Sequence, residues 1–193
     1  MQELHPGTIQ INSGVLFDIE NPDPDTIRLH DIAHALGNLC RWGGHSKQFY
    51  SVAQHSFYAS YLVKRPFAMA ALLHDATEAY LVDIPRPLKA MLPEYKRLEQ
   101  NLAVHIAMAF NLPVNAFELR EVKHADNFLM AMEAVELCTN PDIILASIGG
   151  RPDRLIRDID PNFICWSPPI ARDRFLYRFR QIIAMTEEGE MDA

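Results

Sequence analysis

Cysteines, basic residues and long apolar runs are all scarce in this sequence, and each scarcity excludes a class of protein. The three cysteines, Cys40, Cys138 and Cys165, lie far apart and form no CxxC pair. This spacing predicts neither a disulfide framework nor a zinc knuckle, and it favours reduced thiols in the cytosol. The formal net charge is −7. Polymeric DNA or RNA is therefore not an expected partner, because phosphate backbones are bound by clustered Lys and Arg.

The hydrophobic residues are distributed as in a globular protein. No apolar run approaches the ~20 residues that a membrane span needs, and the N-terminal residues lack the basic start and apolar run of a signal peptide. We therefore expect a cytoplasmic protein without a membrane partner. With 193 residues and 49% hydrophobic content, the chain is long enough for one sizeable core but short for two full domains. A single domain spanning residues 1–193 is predicted.

Apolar residues recur at helical spacing through most of the chain, which predicts an all-α helical bundle. Any β structure is expected in an extended N-terminal segment, residues 1–28, where β-branched residues alternate with Pro and Gly. Residues 29–139 should form the helical core, and residues 140–193 a loop and a last helix. The predicted helices span residues 29–41, 49–63, 66–73, 93–110, 116–139 and 170–187.

Two proline-rich stretches interrupt this pattern. Residues 84–89 contain Pro85 and Pro87, which predict a stiff loop without a regular helix. Residues 141–169 are too rich in Pro, Gly and Asp to be assigned.

An adjacent pair of ionisable residues, His74 and Asp75, lies at the end of the most apolar predicted helix. Such groups are costly to bury unless they are paired or bound to a metal, and imidazole and carboxylate are usual metal ligands. His55 interrupts the apolar stripe of the second predicted helix, and Asp126 lies in the apolar helix 116–139. A lone histidine on such a face is more often part of the core, and a lone Asp often pairs with a neighbour such as Lys123. The combination of the four residues therefore carries the prediction of a metal site.

The order His, His-Asp, Asp, found in the segments VAQHS, LLHDATEAY and KHADN, resembles the signature of the HD-domain phosphohydrolase superfamily. This resemblance implies that a divalent metal ion is held by His55, His74, Asp75 and Asp126. Over residues 28–126, about half the chain, further positions are similar to the small deoxynucleotidase branch of the superfamily: Arg41, Trp42, Glu78, Asp83 and Lys89. That branch includes bacterial deoxynucleoside 5′-monophosphatases and phage dATP triphosphohydrolases associated with 2-aminoadenine genomes.

The resemblance implies a role for each acidic and basic residue. Glu78 would orient or deprotonate the attacking water, and its spacing supports this because, on a helix, residue 78 lies one turn beyond residues 74 and 75. Arg41 would grip a phosphate with two N–H groups, and Lys89 would add a second positive charge. Asp83 would bind a second metal ion on the substrate phosphates or hold Lys89 in place.

Two further residues are expected to shape the substrate pocket. Trp42 would pack beside the sugar and base and crowd a ribose 2′-hydroxyl, and Pro87 would form the opposite wall. Gly44 stands where a bulky group would reject a 2-aminopurine, so adenine selectivity requires another residue. His30 and His34 lie four residues apart, but without the Glu of an HExxH zinc motif they are interpreted as structural.

The sequence thus predicts a metal-dependent phosphohydrolase of 2′-deoxynucleotides. A dATP triphosphohydrolase releasing deoxynucleoside and triphosphate is expected first, and a 5′-deoxynucleotidase acting on deoxynucleoside monophosphates second. A nucleotide-binding module without catalysis and a di-iron oxygenase on the same scaffold are the alternatives. Two His and two Asp accept Co, Mn, Zn, Fe or Mg, so the metal is not specified. Small members of the branch are commonly oligomeric, which predicts a homo-oligomer, in the host cytoplasm if the chain is phage-encoded.

Overall fold

A short antiparallel hairpin precedes the helices. The computed structural model describes residues 6–191, and side chains up to residue 187; residues 1–5 and 192–193 of the predicted end segments lie outside the described residues. Strands β1 (Thr8–Gln10) and β2 (Leu16–Asp18) pair with Ile9 opposite Phe17. Phe17 is buried, so the hairpin packs on the helices through one face. The prediction of β structure in the N-terminal segment is confirmed.

Helices make up most of the remaining described chain, which confirms the all-α fold. Their bounds are α1 (Leu29–Asn38), α2 (Val52–Ala59), α3 (Ala68–Leu73), α4 (Glu78–Leu81), α5 (Arg86–Lys89), α6 (Pro93–Ala109), α7 (Arg120–Leu137), α8 (Pro141–Ser147), α9 (Ile156–Ile159) and α10 (Pro168–Met191). Short 3₁₀ turns lie before several of them. No helix among residues 6–191 is both long and apolar enough to cross a membrane.

The first predicted helix is three residues too long. The chain leaves the helix after Asn38 and becomes extended, and Cys40 pairs with Ser51 in an isolated antiparallel bridge. The Arg41 N–H donates to the Tyr50 carbonyl at 2.8 Å on the same stretch. Leu39 and Cys40 continue the apolar periodicity, so the sequence pattern did not reveal this pairing.

The second predicted helix is too long at both ends. It begins only at Val52, where the Ser51 side chain accepts a hydrogen bond from the Gln54 N–H at 3.1 Å and so caps it. Its last turn ends at Ala59, because Tyr61 and the next residue make the tighter bonds of a 3₁₀ turn.

Prolines begin helices here where the sequence predicted loops. Residues 86–89 form the single turn α5, because Pro87 occupies the first turn, where its missing N–H has no helical partner in any case. Pro141 likewise begins α8, and a further short helix, α9, follows inside the unassigned region. The predicted stiff loop is therefore wrong in its secondary structure.

The core lies between α1, α2, α3, α7 and α10. Helix α3 is buried on nearly every side, as its sequence predicts. Helix α10 packs along α1 and α2 and buries Phe175, and its Arg178 is also buried. The Arg178 guanidinium donates to the hydroxyl and the carbonyl of Ser60 and lies 3.6 Å from the centre of the Tyr61 ring. These partners satisfy a cation that burial would otherwise penalise.

Helices α1 and α10 are in close contact at Gly37. A Cβ atom at this position would lie 3.0 Å from the Pro168 carbonyl oxygen and 3.3 Å from the Arg172 Cβ. The close contact is with backbone, which cannot rotate away. Glycine is therefore required at this crossing for reasons of space.

We predict that Gly37→Ala lowers the melting temperature. Alanine has the better helix propensity by about 1 kcal/mol, but overpacking at a backbone contact costs about 1–3 kcal/mol. The net loss should lower the melting temperature by a few degrees in thermal unfolding. His30→Ala, at an exposed position of the same helix, is the control for propensity alone. An unchanged or higher melting temperature for Gly37→Ala would contradict the tight crossing.

Candidate metal centre

Three separate elements bring the predicted ligands together. Helix α2 supplies His55, the turn that follows α3 supplies His74 and Asp75, and α7 supplies Asp126. The His55 Nε2 lies 3.3 Å from the His74 Nε2, 3.6 Å from the Asp75 Oδ2 and 3.3 Å from the Asp126 Oδ1. The His74 Nε2 lies 3.2 Å and 3.8 Å from those two carboxylate oxygens. Metal–ligand bonds of about 2.0–2.2 Å place tetrahedral ligands about 3.4 Å apart.

The hydrogen bonds of the two histidines fix their tautomers. The His74 Nδ1 lies 2.8 Å from the Ala71 carbonyl, which can only accept, so Nδ1 carries the hydrogen. The His55 Nδ1 lies 2.7 Å from the Glu133 carboxylate and donates to it in the same way. With these hydrogens on Nδ1, each Nε2 faces the other across the centre and offers its lone pair once the proton on Nε2 has been displaced. His55, His74 and Asp75 bring their ligand atoms close enough together to hold a metal ion, and the Asp126 Oδ1 lies beside both histidines.

The same convergence changes the pKa values of the group. Burial alone would lower the pKa of His74, but Asp75 and Asp126 outweigh it and raise the pKa to about 10. Burial would raise the pKa of Asp75, yet the neighbouring histidines bring it below its ordinary value. The pKa of Asp126 is also lowered, by His55 and His74 against the effect of burial. The centre thus favours the presence of positive charge, whether a proton or a cation supplies it.

Glu133 is a site residue that the sequence reasoning missed. It is fully buried on α7, and its Oε1 accepts from the Tyr50 hydroxyl at 2.8 Å and from His55 at 2.7 Å. Its Oε2 accepts from the Arg41 Nε at 3.2 Å. Burial would raise the pKa of Glu133, but His55 and Arg41 hold it below the ordinary value, so it is a carboxylate. The available signal was its spacing, since residue 133 follows Asp126 by seven, or two turns on one helical face.

Glu78 lies at the start of α4, beside the centre. The helix expected to carry it is broken: α3 ends at Leu73, and 3₁₀-type turns connect it to α4. Glu78 is only 5% exposed, and its Oε2 has no hydrogen-bond partner in the described part of the chain. Burial, with the charges of Asp75 and Asp83, raises its pKa well above the ordinary glutamate value. Glu78 therefore keeps its proton to a higher pH than an ordinary glutamate does.

Asp83 directly follows a residue with a strained backbone, Val82. Val82 has φ +62°, a conformation that β-branched residues rarely adopt. Burial raises the pKa of the half-buried Asp83, and the nearby Arg41 lowers it in part. Such strain persists where the surroundings over-determine the backbone, and it clusters at functional sites.

Both cations predicted to bind phosphate, Arg41 and Lys89, form ion pairs with carboxylates of the protein. The Arg41 guanidinium is buried between Glu133 and Asp75, with its Nη1 at 3.3 Å from the Asp75 Oδ2. The Lys89 ammonium bonds Glu99 on α6 at 2.5 Å, and among the described residues it makes no ion pair with Asp83. The alternative in which Asp83 holds Lys89 directly is therefore not supported.

Arg86, which the sequence reasoning did not select, reaches the centre instead. Its Nη2 lies 2.7 Å from the Asp126 Oδ2 and its Nη1 lies 2.7 Å from the Asn127 Oδ1, while 54% of the side chain is exposed. Nothing in the sequence separated Arg86 from other surface arginines except its place between two prolines.

The Trp42 turn forms an edge of this region. Trp42 has φ +62° and is half-buried, and its indole Nε1 is buried without a hydrogen-bond partner among the described residues. A Cβ on the next residue, Gly43, would lie 3.6 Å from the Pro85 ring. The structure thus places Pro85 against this turn, whereas Pro87, the predicted wall, is exposed in the first turn of α5.

We predict that Glu78→Gln stabilises the metal-free protein in a pH-dependent way. Because the folded-state pKa is raised, the stability that Glu78 contributes is full below its unfolded pKa and is lost as pH rises through the folded value. Glutamine carries no charge at any pH. The melting temperature of Glu78→Gln after chelator treatment should therefore exceed that of the unchanged protein more at about pH 9 than at about pH 5. Glu121→Gln, an exposed change on α7, is the control. A difference that stays constant with pH would count against a protonated Glu78.

Comparison with known proteins identifies related sequences, and the relatives described here are uncharacterized proteins. A scan against models of known protein families finds no match. The chain is 33% identical over 156 residues to an uncharacterized protein of Rhodobacter capsulatus, which covers 75% of this chain and 80% of that protein. It is 38% identical over 174 residues to the uncharacterized protein YfdR of Escherichia coli K12, which covers 90% of this chain and 94% of YfdR. The similarity extends over almost the whole of both chains, and the protein therefore belongs to the YfdR family.

Proposed function

We propose that the protein is a cytoplasmic metal-dependent phosphohydrolase acting on small 2′-deoxynucleotides. The observation that carries the proposal is the convergence of His55, His74, Asp75 and Asp126, whose ligand atoms lie 3.2 to 3.8 Å apart where measured. A buried acid with a raised pKa, Glu78, lies beside them. The resemblance of these residues to the HD-domain signature supports the same reaction class.

The donor set fits a divalent cation. Both histidines have Nδ1 bonded to an acceptor and Nε2 facing the centre, and both aspartates are held ionised. A divalent cation that displaces the protons from the two Nε2 atoms would therefore meet four ligand atoms. His55, His74, Asp75 and Asp126 would hold the ion, which is expected to be Mn, Co, Fe, Zn or Mg. A divalent cation in this position polarises a phosphoryl oxygen and lowers the pKa of water, so that hydrolysis can proceed near neutral pH.

Glu78 is the residue suited to handle the proton. An acid with a pKa closer to neutrality accepts and returns a proton more effectively than an ordinary glutamate does. In the proposed reaction, the oxygen of water attacks the α-phosphorus and the bond from that phosphorus to the 5′-oxygen breaks. Glu78 takes the proton of the water, and a proton returns to the 5′-oxygen of the leaving deoxynucleoside. The products are a deoxynucleoside and triphosphate.

Arginines are suited to bind the substrate phosphates. Arg41 is held in place by Glu133 and Asp75, and Arg86 is half-exposed on Asp126 and Asn127. Planar guanidinium groups bind phosphate through two N–H donors. Lys89 adds a positive charge near the site and is held in place by its ion pair with Glu99. These cations offset a local excess of acid, so that an anionic substrate can approach.

The Trp42 turn is proposed to contact the sugar and base. Its strained backbone and the adjacent Pro85 give a rigid edge, and the unpartnered indole N–H remains as a donor. A tryptophan close to the sugar would crowd a ribose 2′-hydroxyl and so favour deoxynucleotides.

Metal binding is the first test. We predict that the chelator-stripped protein binds Mn²⁺ or Co²⁺ in calorimetry, and that His55→Ala and His74→Ala abolish the binding. Glu133→Gln should weaken it by about 10–100-fold, because the ligand His55 loses the carboxylate that orients it. Glu121→Gln should bind as the unchanged protein does. Equal affinity in Glu133→Gln would show that His55 does not depend on this hydrogen bond.

Catalysis is tested by product analysis. We expect dATP to release triphosphate in the presence of the metal that binds, and matching ribonucleotides to react more slowly. Glu78→Gln should keep the metal and lose turnover by at least about 10²-fold. Orthophosphate from deoxynucleoside monophosphates would make the enzyme a 5′-deoxynucleotidase instead. Nucleotide binding without product would point to a module without catalysis, and failure of every deoxynucleotide to bind would overturn the proposed substrate class.

A further inference from the structure

A cavity of about 270 Å³ lies between the β1 hairpin, α1 and α4, and none of the proposed metal ligands lines it. Its wall is apolar over the side chains of Ile9, Ile11 and Ala79. Polar side chains also face it: Gln10 and Asn12 from the hairpin, Asp31 and His34 from α1, and Tyr80 from α4. A cavity of this size admits one small ring system and is close to the lower end of ligand sites in proteins.

Asp31 supplies a buried acceptor to this cavity. The residue is 4% exposed, and its Oδ1 accepts a hydrogen bond from the Ser13 N–H at 2.7 Å. This hydrogen bond satisfies one carboxylate oxygen. The position of Asp31 in the first turn of α1 also favours its negative charge. The Oδ2 is buried and has no hydrogen-bond partner among the described residues. A buried oxygen without a partner is costly, so a donor is missing from this surface.

Tyr80 supplies a buried donor. Its ring stacks on Phe17 with the ring centres 4.2 Å apart, and the residue is 6% exposed. Burial, together with Asp31, raises the pKa of its hydroxyl, although the Arg28 backbone lowers it in part. The hydroxyl therefore keeps its proton at neutral pH. The hydroxyl oxygen lies near the Arg28 backbone, but its O–H donates to no other described residue and can donate to a ligand.

We infer that this cavity binds a small planar amino-heterocycle. An exocyclic N–H of the ligand would donate to the Asp31 Oδ2, and an adjacent ring nitrogen would accept from the Tyr80 hydroxyl. The apolar wall formed by Ile9, Ile11 and Ala79 covers the faces of the ring. A ligand with a donor beside an acceptor on one edge satisfies both unpartnered atoms at once, as the edge of an amino-pyrimidine or amino-purine does.

The test uses 2-aminopyrimidine, which has this edge and no phosphate that would bind at the metal centre. Saturation-transfer NMR on the full-length protein should detect its binding at millimolar concentrations. Tyr80→Phe keeps the ring stack and removes the donor, and it should weaken binding by about tenfold or more. Asp31→Asn keeps the acceptor for Ser13 and replaces the free oxygen with an N–H₂ group, and it should weaken binding at least as much.

A change of specificity separates recognition from a loss of folding. Pyrimidin-2-one presents an acceptor beside a donor, so it should bind Asp31→Asn more tightly than the unchanged protein. Asp25→Asn and Tyr177→Phe make the same chemical changes at exposed residues and should have no effect. The absence of 2-aminopyrimidine binding to the unchanged protein would overturn the inference, since the cavity would then hold only water. Binding that survives both Tyr80→Phe and Asp31→Asn would overturn it as well, by placing the ligand elsewhere.

Discussion

The buried carboxylate of Glu133 is the group on which the centre depends. It receives hydrogen bonds from Arg41, Tyr50 and His55, all at least 78 positions earlier in the chain. Without these donors the charge would be buried alone, and breaking such a pair costs about 3–5 kcal/mol. The folded protein can therefore bury Glu133 only when Arg41, Tyr50 and helix α2 with His55 are all in place. The same bonds fix the tautomer of His55, so the stability of the core and the readiness of the ligand have one cause.

Around Glu133, acidic and basic side chains are paired with one another from the buried interior towards the surface. Arg41 joins Glu133 to Asp75, and Arg86 covers the outer oxygen of Asp126. The inner layer is buried and the outer one is half-exposed, so solvent and salt screen Arg86 more than Arg41. Arg86 is therefore the cation that a dissolved anion can reach, and Arg41 is the one shielded behind it.

Periodicity predicted the elements that are buried along one stripe, and it failed where backbone contacts decide. The helices that carry His55 and Asp126, and the apolar helix that ends just before His74, are present because their apolar positions repeat at helical spacing. The side chains of the four predicted ligands lie close together. The early end of α1 is set by the pairing of Cys40 with Ser51, a contact with no counterpart in periodicity. Pro87 was interpreted as a helix breaker, although a proline in the first turn is compatible with a helix.

The partners of polar side chains were harder to predict than the ligands. A ligand is a residue type at a recognisable spacing, whereas the choice of Lys89 for Glu99 or of Arg86 for Asp126 depends on where long, flexible side chains end. Glu133 could have been found, because a charged residue two turns from Asp126 in an apolar helix needs a partner. The sequence does not name that partner, since Arg41 and Tyr50 approach it only through the tertiary fold.

Strained backbone marks the two edges of the centre, and the fold explains why it persists. Trp42 and Val82 both have φ +62°, a conformation that costs of the order of 1–3 kcal/mol for a bulky residue. Each is adjacent to a charged residue of the centre: Arg41 comes before Trp42, and Asp83 comes after Val82. Arg41 is fixed by two carboxylates, and the Tyr95 hydroxyl donates to the Val82 carbonyl at 2.8 Å, so the local backbone has little freedom to relax. A glycine at either position would relieve the strain, but it would also widen the range of backbone conformations and so loosen the direction in which Arg41 and Asp83 point. The strain is therefore the consequence of positioning two charged side chains, Arg41 and Asp83, close enough to act on one another and on Asp75.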